Sequence, residues 1–302
     1  MKKTYFIATI TNVALGYAYI SGKILLDKFT PIQVLFARFV LATVVLGIIY
    51  RKEKLSFNIK EEMVYALSAF FGNFLSLWLN YQALHYTTTT NVGVLGAIVP
   101  MITGIMGCFL LKDSKLDGFF WLGCAFAMLG VVLIYIGDGF ELHIHGDTIM
   151  IASGIVTSLY LVLLGKVSEF GHSIGATSKK ITFYSFIVLG IANLLSGDLG
   201  NWSELLDAKM IFNILLLGIV ISGLCLVGYS YSTRILGAGR ASVFSYICTI
   251  SSVIFASTVI GEHVGINVVL ATALIIAGTF ISEQGRNFLQ FLVLKRHENI
   301  ET

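Results

Sequence analysis

Apolar residues along this chain run in long blocks, not at the two-residue period of a strand or along one stripe of a surface helix. The blocks are about 18 to 24 residues long, and at 1.5 Å per residue a helix of that length crosses a hydrocarbon core of roughly 30 Å. They fall at 5–26, 32–50, 63–84, 91–111, 118–137, 148–168, 181–197, 210–232, 241–261 and 266–284. The pattern predicts an all-α, polytopic membrane protein with about ten transmembrane helices. The seventh segment is the least regular, because Ser185, Asn193 and Ser196 interrupt it. Beyond Ser282 the apolar stretch 287–294 is too short to span and is expected to lie at the interface.

Composition agrees with the pattern. Of 302 residues, 56% are apolar and 12% charged, against the roughly 25% charged of a soluble domain. Pro31 and Pro100 are the only prolines beside 30 glycines, a mix suited to closely packed helices in lipid. The block behind Met1-Lys2-Lys3 is too long for a signal peptide and is expected to be a retained first span. Fifteen Lys and Arg fall in connections on the side of the N-terminus, among them Arg51, Lys52, Lys60, Lys179, Lys180, Arg234 and Arg240, and only Lys28 and Lys209 on the other. The positive-inside rule then predicts a cell-membrane protein with both termini cytoplasmic. Those basic connections are short and separated by spans, so they form no continuous surface for nucleic acid. Cys108, Cys124, Cys225 and Cys248 lie inside apolar blocks without ligand spacing, which points to packing and to no metal or cofactor.

Two weak similarities suggest a duplication. Ser21-Gly22-Lys23 is matched by Leu164-Gly165-Lys166, 143 residues later, and Leu110-Leu111-Lys112-Asp113 by Val259-Ile260-Gly261-Glu262, 149 residues later. This divides the chain into five-helix repeats at 1–140 and 147–286, with a cytoplasmic or interfacial tail at 287–302. Five is odd, so the second repeat enters the membrane from the opposite side, and inverted repeats can enclose a route that opens alternately to either face.

Polar groups inside the spans are the candidates for function. Arg38 lies about six residues, roughly 9 Å, inside the second span; it either reads a substrate carboxylate or phosphate or closes an internal network. Lys23 and Lys166 are nearer span ends, where long side chains reach water. Asn12 and Asn73 are the deep amides expected at a cavity, while Trp78, Asn80 and Tyr81 stand between a cavity and an interfacial role. In the fourth span Gly93, Ala97 and Gly104 make small faces for close helix approach, and Pro100 is expected to kink it. Tyr246 and Thr249 are the preferred polar residues of the ninth span; hydroxyls such as Ser251 and Ser252 can instead bond to preceding carbonyls. No Asp or Glu falls securely within a span, so no buried-carboxylate proton relay is expected.

The chain resembles the EamA-type carriers of the drug/metabolite transporter superfamily. The resemblance covers about residues 5 to 284 and rests on Gly22-Lys23, Pro31, Arg38, Ala83-Leu84-His85-Tyr86-Thr87-Thr88-Thr89, Pro100, Lys112-Asp113, Leu236-Gly237-Ala238-Gly239-Arg240-Ala241 and Gly261-Glu262. It departs where the family commonly has Glu after the fourth span, here Lys112-Asp113, and Pro in the ninth, here Cys248-Thr249; the second departure predicts a straighter ninth helix. The resemblance implies secondary transport, often export, of amino acids or related metabolites and sometimes toxic compounds. The inverted duplication and the intramembrane polar groups lead to the expectation of alternating access, with spans one, three, four, six, eight and nine around a central cavity. The expected partners are a small-molecule substrate and membrane lipid, with a homodimer left open. The rival readings are a membrane enzyme on an amphipathic substrate, using the close pair His143 and His145, and a non-transporting scaffold or sensor. No phosphate-binding Gly-x-x-x-x-Gly-Lys-Ser/Thr loop is present.

Overall fold

A computed structural model describes residues 2–53, 57–110, 117–136, 143–197, 207–261, 265–267, 270–271, 273–278 and 280–282. Lys112, Asp113, Glu262, Glu283 and the 287–302 tail lie outside them. Each expected segment falls on a helix: α1 (Lys2–Leu26), α2 (Pro31–Ile49), α3 (Ile59–Tyr86), α4 (Thr89–Leu110), α5 (Gly118–Ile136), α6 (Ile144–Glu169), α7 (Ile174–Leu195), α8 (Ala208–Leu236), α9 (Ala238–Ile260) and α10 (Ala273–Ser282). Six of these, α2, α3, α4, α6, α8 and α9, are long and apolar enough by themselves to cross a membrane. α1 and α7 have the length, 25 and 22 residues, but carry Thr11, Asn12 and Ser21, or Thr177, Lys180, Thr182, Ser185 and Asn193, all buried against other helices. Outward-facing positions are apolar, with Ile48, Phe109 and Leu195 exposed by 66%, 81% and 82%. Polar side chains inside and apolar side chains outside are what a lipid solvent selects. The protein is an all-α, multi-pass membrane protein.

Helix starts follow local capping chemistry. Thr30 and Gln33 form a capping box ahead of α2, with Pro31 at its first turn. Ser173 accepts the Ala176 N–H at 3.1 Å and starts α7 at Ile174, seven residues before the expected 181. Lys179 and Lys180, assigned above to a connection, are therefore helical, and Lys180 is buried.

Packing comes in exchanged pairs. α1 lies along α9 as α6 lies along α4; α8 packs on α1 as α3 packs on α6; α2 meets the middle of α8 as α7 meets the middle of α3. Each contact maps onto its partner when a helix of the first half is exchanged with the helix five places later, as two inverted five-helix repeats require. Departures from regular winding obey the same exchange. α3 is π-helical over Ala69–Ser76 and α8 over Leu216–Cys225, starting 147 residues apart, at 69 and 216. α4 tightens into a 3-10 turn over Gly96–Ile98 just before Pro100, whose ring lacks an N–H and crowds the carbonyl four residues back. The expectation of a straighter ninth helix is corrected: without proline, α9 breaks at Phe244, the same offset from residue 97, and ends in a π-turn over Ala256–Ile260.

Candidate functional site

The two halves enclose a cavity of about 200 Å³, far above the roughly 10–15 Å³ that admits one water. Helices α1, α3, α4, α6, α8 and α9 wall it, and α2 joins them through Arg38 and Phe39. Both π-segments open onto it, Gly72, Asn73 and Ser76 from α3 and Ile221, Ser222 and Cys225 from α8. Extra residues in a π-turn splay the backbone, a device common at functional sites. The remaining wall is mainly apolar and aromatic, with Tyr19, Leu77, Met150, Tyr160, Leu161 and Tyr229 among its members.

Among the described residues, Arg38 is the only Lys or Arg that lines the cavity. It is 4% exposed. Its Nε donates to Ser222 Oγ at 2.7 Å and its Nη1 to Tyr81 Oη at 2.9 Å, while the Phe39 ring centroid is 5.6 Å from its Cζ. Tyr81 is placed by the Gly22-Lys23 pair: a Cβ at residue 22 would stand 2.6 Å from Tyr81 Cε1, and Lys23 Nζ donates to the Leu84 carbonyl at 2.6 Å. Lys23 is thus a brace between α1 and α3 outside the cavity lining. Between the repeat-related helices α3 and α7, Asn73 Nδ2 donates to Ser185 Oγ at 2.9 Å, and Ser185 stands 147 residues after Arg38. One half thus presents a cation where the other presents a hydroxyl. A buried cation without a counter-ion costs several kcal/mol, and no Asp or Glu lines the cavity among the described residues.

Other expected site residues divide. Asn73 and Asn12 line the cavity, although Asn12 Nδ2 also donates to the Ala8 carbonyl at 2.8 Å. Asn80 and Tyr81 belong to the cavity and not to the interface, and Asn80 Oδ1 accepts from Ser153 Oγ at 3.0 Å. Thr249 lines the cavity and donates to the Gly93 carbonyl at 2.9 Å, stitching α9 to α4. A Cβ at Gly93 would lie 1.9 Å from Ser252 Oγ, so the small face of α4 sets this approach; Ala97, Pro100 and Gly104 are buried around it. Tyr246 is buried among Phe120 and Cys124 instead of lining the cavity. Ser251 and Ser252 bond back to the Ile247 and Thr249 carbonyls at 2.9 and 2.8 Å. Lys166 projects from the end of α6, 51% exposed beside Glu169 at 3.5 Å, away from the cavity.

Several groups escaped the sequence reading. Glu62 and Asp147 lie one residue outside the expected starts 63 and 148, yet both are buried. Lys180 Nζ donates to Glu62 Oε1, Tyr184 Oη donates to Glu62 Oε2 at 2.7 Å, and Lys180 stands 4.8 Å from the Tyr65 ring centroid. Thr87 Oγ1 donates to Asp147 Oδ1 at 2.8 Å and the His143 N–H to Oδ2 at 3.1 Å. His145 packs edge-on against Tyr86, with ring centroids 4.6 Å apart. Ser222 and Tyr160 carried no signal beyond their hydropathy, and Cys225 and Cys248, read as packing, line the cavity.

A sequence model described as the EamA-like transporter family matches the chain twice, over residues 2–136 and 144–283. The chain belongs to that family. Among its relatives, the EamA-family chain is 26% identical to the uncharacterized transporter YetK of Bacillus subtilis (strain 168) over 278 residues, covering 88% of this chain and 82% of that one. It is 25% identical over 296 residues to an uncharacterized transporter of Archaeoglobus fulgidus, covering 93% and 97%. A crystal structure at 15% identity superposes with a TM-score of 0.72, covering 93% of this chain and 98% of the other, which shows a shared fold.

Proposed function

We propose that this EamA-family chain is a secondary carrier that moves a small polar metabolite across the cell membrane by alternating access, with export as its working direction. One observation carries the reading: a cavity lies between halves whose helices depart from α-winding at equivalent places. Such segments differ from an α-helix by one step of hydrogen-bond register, so each half holds the means to adopt the other's shape. Seals lie on both sides of the cavity. Toward the N-terminus, Glu62, Lys180 and Tyr184 tie α3 to α7. On the far side, Asp147 with Thr87 ties α6 to the end of α3, and Lys23 ties α1 to α3.

Burial of Lys180 removes one of the fifteen basic residues from the N-terminal side, and fourteen against two still favours cytoplasmic termini. Protein reconstituted into liposomes should move members of a broad radiolabelled metabolite panel down an imposed gradient. Folded, monodisperse protein that moves none of them would overturn the carrier reading.

A further inference from the structure

We propose that the cavity selects an organic monoanion: a carboxylate on an apolar or aromatic body, without an ammonium group. The inference rests on the carrier reading and narrows it to a substrate class. A guanidinium stays protonated in proteins and has five N–H donors. The two bonds to Ser222 and Tyr81 leave the others of Arg38 without a protein acceptor among the described residues, although Arg38 is more than nine-tenths buried. Those two bonds also fix the plane of the fork, the arrangement that suits bidentate capture of a carboxylate.

Charge decides between substrate classes. Among the described residues no acid lines the cavity; Glu62 is engaged by Lys180 and Tyr184, and Asp147 by Thr87 and the His143 backbone. A monoanion neutralises Arg38. A dianion leaves a net charge in a low-dielectric space, and a zwitterion brings an ammonium to which the described lining offers neutral amides, hydroxyls and tyrosine rings but no carboxylate. The amino acids implied by the family resemblance therefore fit less well than a simple acid of similar size. Tyr19, Leu77, Met150, Tyr160 and Leu161 supply the surface for its body.

Three probes built on one phenethyl body test this on the purified full-length protein by ligand-induced thermal stabilisation: 3-phenylpropionate, phenylalanine and phenethylamine. The acid should bind at least about tenfold tighter than phenylalanine, the scale of one charge-assisted contact, and the amine should give no shift. Arg38→Gln should abolish the preference, and Arg38→Lys should keep part of it. Phenylalanine matching the acid, Arg38→Gln retaining the preference, or no shift with any C6–C10 monocarboxylate would overturn the inference. Should Arg38→Gln fail to fold, the wild-type ladder decides alone. Flux is read in parallel: liposomes that move phenylalanine and ignore the acids refute the substrate class and leave the carrier standing. Acid binding without any flux does the reverse.

Discussion

Lys180→Met should unlatch the N-terminal side of the carrier. The Lys180 and Glu62 side chains are 7% and 8% exposed, and the substitution keeps the apolar stem while leaving Glu62 with Tyr184 as its remaining donor. Breaking a buried ion pair by removing one partner costs about 3–5 kcal/mol. The penalty falls on the closed state alone, because opening lets water solvate the stranded carboxylate. At about 1.4 kcal/mol per tenfold, the closed-to-open ratio on that side should fall by roughly two to three and a half orders of magnitude. Cys225 and Cys248 line the cavity and report it. In a Cys108→Ser background, which removes the exposed thiol, a membrane-impermeant maleimide supplied from the N-terminal side should label Lys180→Met much faster than the parent. Adding Glu62→Leu removes the unpaired charge and should restore slow labelling. Parental labelling in the single variant, or fast labelling in the double one, would refute the latch.

Gly93→Ala should lower the melting temperature through overpacking worth about 1–3 kcal/mol, since its Cβ would fall 1.9 Å from Ser252 Oγ; Ser252→Gly in the same chain should recover most of the loss, and failure to recover would place the strain elsewhere. Single cysteines at Lys52 and Lys209 should label from opposite faces, Lys52 from the cytoplasm; labelling from one face would overturn the threading. Lys166→Ala should shift stability by no more than about 0.5 kcal/mol, because its side chain is 51% exposed, and a larger change in the melt would contradict its placement outside the bundle.

Ten apolar blocks were legible because span length and loop charge are local properties. Depth within the spans pointed to Arg38, Asn12 and Asn73, and all three line the cavity. What the sequence hid was direction. Tyr246 and Thr249 are three residues apart on α9, yet one faces a packed cluster and the other the cavity, and only tertiary contacts separate them. Lys180 was read as a loop cation because charge is the usual sign of a span's end; here the end is set by Ser173 capping, and the charge is matched by Glu62 on another helix. The Phe244 break has no proline to announce it, and the π-segments have no composition of their own.

Equivalent contacts in inverted halves bring the two end states of a carrier close in energy, because exchanging the halves' shapes exchanges like for like. Substitutions between the repeats then set the bias. At the 147-residue offset, Glu62 and Lys180 correspond to Lys209 and Gln33, so the equivalent positions do not repeat the acid–base pair of the near side. A buried ion pair is costly to expose by halves and cheap once water floods in, which makes that seal all-or-none. Far-side ties such as Ser21 Oγ to Asn213 Oδ1 at 2.8 Å, worth about 0.5–1.5 kcal/mol each, can be lost one at a time. Arg38 stands between the seals with one bond to α3 and one to the π-segment of α8. On the proposed carrier reading, an anion that drew its guanidinium away from Ser222 would loosen α2 from α8, a contact between the halves, and would couple occupancy of the cavity to that interface.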